Sequence, residues 1–132
     1  MSEADGYILR ISNDELVNQV FDSTVYYTSR QRKWKQSQVI LFLHRTNIGD
    51  AFVGYGVIRK ASRRELLTKE DRKACEAGDW KTALEFLYVK RFANPVLIKD
   101  TFLNKSKLRG RYLHGLHIEK SQLESVLKQN EQ

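Results

Sequence analysis

The chain has one cysteine, one proline and seven glycines among its 132 residues, and each scarcity excludes something. A lone thiol, Cys75, rules out an internal disulfide and a thiolate metal cluster. So little proline and glycine leaves no room for a flexible linker, and no internal repeat or low-complexity tract is present. No run of about 18 apolar residues exists to span a bilayer. The opening Met1-Ser2-Glu3-Ala4-Asp5 lacks the basic-then-apolar order of a secretory signal. A cytoplasmic location is the resulting default. Acids are scarcest between Arg30 and Arg64, where Asp50 stands alone against nine Lys and Arg residues.

What is present fits one domain over residues 1–132, with 41% hydrophobic and 30% charged residues in an ordinary globular balance. The net charge of +7 favours a polyanionic partner. Nucleic acid and an anionic membrane surface compete for that role, and no membrane partner is expected. Within the acid-poor window, Arg30, Arg32, Lys33 and Lys35 precede the apolar run Val39-Ile40-Leu41-Phe42-Leu43. Arg59, Lys60, Arg63 and Arg64 follow the second run, Phe52 to Ile58. Cations that neutralise phosphates, set beside rings that stack on bases, are the physical recipe for nucleic-acid binding.

Hydrophobic spacing predicts an α+β fold. Strands are expected at Tyr7–Ile11, Thr24–Thr28, Val39–Leu43, Phe52–Ile58 and Leu84–Ala93, the last breaking at Asn94-Pro95. Short extended pieces follow at Val96–Ile98 and His114–Ile118. Ser12-Asn13-Asp14 offers caps for a helix that buries Leu16, Val17, Val20 and Phe21. Ser121 opens a terminal helix with Leu123, Val126 and Leu127 buried. In the strand Phe52–Ile58, strict alternation puts Val53, Tyr55 and Val57 on one face and Phe52, Gly54, Gly56 and Ile58 on the other. Glycines there mark a bulge, a bend or a close approach. The charged segment at about 62–81 reads as a helical insertion, with Trp80 anchoring it.

Three stretches carry a family resemblance: Trp34 to Leu43, Phe52 to Ile58, and Pro95 to Asp100 with Leu108 and Leu116-His117-Ile118. The chain resembles the PUA-like superfamily, in particular its EVE and YTH-type members. The resemblance implies a compact β-barrel of about five to six strands with flanking helices. It also implies recognition of RNA or DNA, often of one modified or flipped base in an aromatic pocket.

A base taken from its stack needs π-faces against it and hydrogen-bonding groups at its edge. Trp34, amid Arg32, Lys33, Lys35 and Gln36, is the first pocket candidate, with Tyr26, Tyr27 and Tyr55 as further walls. Core or rim packing is the competing use of each, and the preferred one for Tyr55. Phosphate contact is expected from Arg30, Arg32, Lys33 and Lys35, extended by the stripe Lys105, Lys107, Arg109 and Arg111. His44, His114 and His117 read as structural or surface groups, so no metal, cofactor or catalytic residue is expected. The reading is a non-catalytic nucleic-acid-binding module, RNA favoured over DNA. Two alternatives stand beside it: a small RNA-processing enzyme on the same barrel, and a protein-interaction module using the charged insertion.

Overall fold

A computed structural model describes residues 5–28, 33–47, 49–63, 69–70, 73, 80–104 and 113–130. Six strands and two helices are bounded within it. In chain order they are β1 (Gly6–Arg10), α1 (Asp14–Ser23), β2 (Val25–Thr28), β3 (Val39–Thr46), β4 (Gly49–Arg63), β5 (Thr82–Leu97), β6 (His117–Ile118) and α2 (Lys120–Asn130). The strands form one mixed sheet in the order β2-β5-β4-β3-β1-β6, in which only β1 and β3 run parallel. The fold is α+β.

The sheet is covered on both faces. Ile40 and Phe42 of β3 join Leu9, Val17, Val20 and Leu84 in a core beneath α1. Val39, Leu41 and Leu43 join Ile8, Phe52, Phe92, Leu123 and Val126 in a second core beneath α2. This explains why β3 opens with five consecutive apolar residues, all buried: neither face of a central strand meets water. Each such side chain contributes about 1.5–3 kcal/mol by leaving water.

The helices begin where the sequence provides caps. The Asn13 side chain accepts a hydrogen bond from the Leu16 amide at 2.8 Å, and Asp14 and Glu15 complement the dipole of the first turn. At the other end Thr24 takes a left-handed conformation, φ 59°, and closes α1 through its amide to the Val20 carbonyl. At α2 the Gln122 side chain reaches back to accept from the Glu119 amide at 3.0 Å.

Three expectations are corrected. The sheet does not close into a barrel: among the described residues, β2 and β6 remain separate edges. Its two ends lie at different levels, since β2 pairs with Thr82–Glu85 at the far end of β5, whereas β1 and β3 lie level with Gly54–Val57. Second, β4 continues to Arg63, so Ser62 and Arg63 belong to a strand and not to an insertion. Most of the remaining 62–81 segment lies outside the described residues. Third, alternation in β4 breaks at Val53. Leu43 pairs with Phe52 and Phe42 with Gly54, leaving Val53 as an extra residue. Phe52 therefore shares the α2 face with Tyr55 and Val57, and Val53 packs with Ile58 on the α1 face.

Gly54 sits at that bulge for a steric reason. A Cβ there would come within 2.5 Å of both the Lys90 carbonyl and the Phe21 ring. The same Phe21 ring carries the Arg91 guanidinium at 4.3 Å, a cation–π contact closing α1 onto β5. The Asn94-Pro95 break is a second irregularity: Gly54 pairs with Arg91 but Phe52 with Val96, so β5 accommodates proline in a bulge.

The face assignment is testable with two aspartates. Ile58 is buried and Val57 is half-buried. Ile58→Asp should unfold the domain, because an unpaired buried carboxylate costs several kcal/mol against a typical margin of about 5–15 kcal/mol. Val57→Asp should stay folded with a lower Tm by circular dichroism. Equal behaviour of the two variants would contradict the burial of Ile58 and the partial exposure of Val57.

Candidate nucleic-acid interface

Residues 33–38 form a turn whose shape is fixed by hydrogen bonds. Ser37 adopts φ 74° and donates its amide to the Ile58 carbonyl at 2.8 Å. The buried Gln38 side chain accepts from the Lys35 amide at 2.8 Å and donates to Asp5 Oδ1 at 3.2 Å. Within this frame Trp34 is half-buried against the α1-side core, its ring edge-on to Tyr7 at 4.9 Å. The indole Nε1 is buried without a hydrogen-bond partner. Lys33 and Lys35, on either side of it, are exposed. Two exposed cations thus flank in sequence an aromatic ring that packs partly into the core.

The network extends to β6. Tyr7 also meets the His117 ring edge-on at 5.3 Å, and His117 Nε2 lies 2.5 Å from Asp5 Oδ2. The His117 hydrogen bond, opposed in part by desolvation, holds the Asp5 carboxyl below its ordinary value of 3.8. Sequence reasoning did not pair Asp5 with His117, which are 112 positions apart. No local pattern signals the pair.

The other pocket candidates do not converge on Trp34. Tyr26 packs into the α1-side core, and burial pushes its hydroxyl up to about 12. Tyr27 points the other way along the strand and stacks on Trp80, with centroids 5.6 Å apart and planes 16° apart. These residues and Leu16, Gln19 and Val20 of α1 line a groove beside β2. Tyr55 lies across the sheet on the α2 side, 6.2 Å from Tyr88 and 6.0 Å from Phe92. Trp80, expected only as an anchor, is the aromatic that the sequence undervalued. Tyr88, 48% exposed, was not singled out either.

In the sheet register Asp50 lies opposite Arg45 and Glu85 opposite Lys60, whereas Lys33 and Lys35 of the turn enter no ion pair among the described residues. Among the described residues the ion pairs are His44–Asp14, His117–Asp5 and Lys120–Glu124. None of them uses a lysine or arginine from Lys33 to Arg63. Arg30 and Arg32 lie outside the described residues, as do Lys105, Lys107, Arg109 and Arg111. The histidines serve separate hydrogen bonds: His44 between the Ile11 carbonyl and Asp14, and His114 as acceptor from the Arg10 amide. Among the described residues no three His, Cys, Asp or Glu side chains gather as a metal site. No described helix is long and apolar enough to cross a membrane.

The architecture is shared with solved structures of ASCH from Zymomonas mobilis. One is 12% identical, with a TM-score of 0.63 over 92% of each chain. A serine-to-alanine variant of that protein is 10% identical, with a TM-score of 0.65 over 98% of this chain and 99% of that one. A tyrosine-to-phenylalanine variant gives 0.58 at 10% identity, over 96% and 98% of the two chains. No protein-family model matches the sequence. No curated protein is significantly similar to it. At these identities the likeness is one of fold.

The Asp5–His117 tie makes a pH-dependent prediction. A carboxyl with a depressed folded-state value stabilises the fold fully above its unfolded value and loses that contribution as pH falls through the folded one. The stability advantage of the wild type over Asp5→Asn in urea unfolding should shrink as pH drops from 3.8 downward. The carboxylate's contribution to that advantage should not change as pH rises from 4.5 to 5.5. A difference that is flat below pH 3.8 would contradict the tie.

Proposed function

We propose that this domain is a non-catalytic nucleic-acid-binding module with single-stranded RNA favoured over DNA, acting in the cytoplasm. The observation that carries the reading is the turn at 33–38, where half-buried Trp34 packs edge-on to Tyr7 between exposed Lys33 and Lys35 in a stretch where no ion pair is found among the described residues. Lys33 and Lys35, with Arg30 and Arg32, contact phosphates, and Lys105, Lys107, Arg109 and Arg111 extend the track. Trp34 offers its remaining surface to a base. Tyr26, Tyr27 and Tyr55 belong to other parts of the surface and core. Similarity to ASCH structures of the PUA-like superfamily supports this reading. The EVE- and YTH-type likeness of the Trp34 and Phe52–Ile58 stretches adds the idea of one modified or flipped base.

A second reading, an RNA-processing enzyme at the same surface, has one observation in its favour. Asp5 orients the His117 ring beside Tyr7, and an oriented imidazole is the group such chemistry needs as its base. Incubation with RNA separates the two: product formation abolished by His117→Gln would favour the enzyme.

Binding itself is tested by charge reversal. The triple variant Arg32→Glu, Lys33→Glu, Lys35→Glu should weaken binding to single-stranded RNA far more than reversal of Arg63, Arg64 and Arg72, whose sequence neighbours include acids. The wild type should lose affinity steeply with salt, with a slope that flattens by roughly 0.7 for each phosphate contact removed. Equal losses from the two triple variants would sink the idea of a localised footprint.

A further inference from the structure

The groove beside β2 is not used by the Trp34 turn. Its most ordered feature is the Tyr27–Trp80 pair, whose planes lie within 16° of parallel. Leu16 and Val20 of α1 give it an apolar floor, and the exposed Gln19 stands on its rim. It is a shallow groove open to solvent, so a ring seated there would lie against its wall and not inside an enclosed cavity.

The charges around the groove are divided. Lys81 is fixed at one end, its amide donating to the Thr28 carbonyl at 3.0 Å. Arg63 lies at the same end, across Thr82 in the register that joins β2, β5 and β4. At the other end Glu85 pairs with Val25, and Asp22 closes the last turn of α1. All four are exposed.

We propose that this groove seats one base of a single-stranded nucleic acid, stacked against the Tyr27–Trp80 pair, with its phosphate directed to Lys81 and Arg63. The inference rests on the nucleic-acid reading above and adds to it a contact separate from Trp34. A π-surface stacks on any base, so it supplies affinity without sequence choice. The Gln19 amide carries both a donor and an acceptor, which suits the edges of all four bases. Tyr26 bounds the groove as a phenol, neutral near pH 7 like any tyrosine, and so sets no negative charge against a phosphate. A flat ring attached to an anion satisfies the apolar floor, the aromatic wall and the basic end together.

The chain has two tryptophans, which makes the test direct. In Trp34→Phe, Trp80 is the sole indole, and saturating short single-stranded RNA should quench its emission with the midpoint of binding seen by fluorescence anisotropy. In the otherwise wild-type chain, Gln19→Phe should fill the groove from its exposed rim. It should lower affinity about tenfold by removing one stacked base, with the melting curve unchanged. Binding by anisotropy with Trp80 emission unmoved and Gln19→Phe at wild-type affinity would overturn the groove and leave the nucleic-acid reading standing. Absence of any binding by the wild type at low salt would overturn that reading itself.

Discussion

The structure depends on a single constraint, that β3 must be dry on both faces. Its first five residues are apolar and buried, so a helix covering one side alone would leave Ile40 and Phe42, or Leu41 and Leu43, in water. The chain meets this by sending α1 to one face and the C-terminal α2 to the other. The terminal helix is therefore part of the core, and the packing of the two ends of the chain is coupled through the sheet. The short β6 and the parallel pairing of β1 with β3 follow, since both place the N-terminal strand where α2 can close over Ile8.

That coupling also shapes the proposed interface. The 33–38 turn enters β3 directly, and its shape is set by partners from three other places: Ile58 in β4, Asp5 before β1, and His117 in β6 by way of Asp5. A loop held at so many points is preorganised, and preorganisation reduces the ordering cost of binding. Trp34 illustrates the balance. One edge belongs to Tyr7 and the core, while its sequence neighbours are solvent-facing cations.

Much of the fold was legible in local patterns. The apolar run at 39–43 and the cap at Asn13 each have a short-range physical cause and match expectation, whereas Asn94-Pro95, expected to end a strand, is a bulge within the continuous β5. The extension of β4 to Arg63 was hidden because Arg59, Lys60 and Arg63 are exposed, so their strand shows no apolar alternation. The bulge at Val53 was hidden because a β-branched residue looks the same in or out of register. Barrel closure was overestimated because it depends on whether two edges meet, which is a property of strand levels and not of any segment. At the interface, the cations and Trp34 stand out in sequence, whereas the Asp5–His117 pair and the Tyr27–Trp80 stack join residues far apart along the chain.

An open sheet has a further consequence, for the company the molecule keeps. Unpaired strand edges are templates on which another chain can add itself, and long flat ones lead to aggregation. Among the described residues the outermost strands are β2, four residues long, and β6, only two. Neither offers the length a stable intermolecular ladder needs. Beyond Glu85, where β2 has ended, β5 pairs with β4 alone, and the irregularity around Asn94-Pro95 interrupts that longer side. A proline and a bulge on its longest open side, and brevity in its outermost strands, let the domain leave its sheet unclosed without presenting a long flat template to copies of itself.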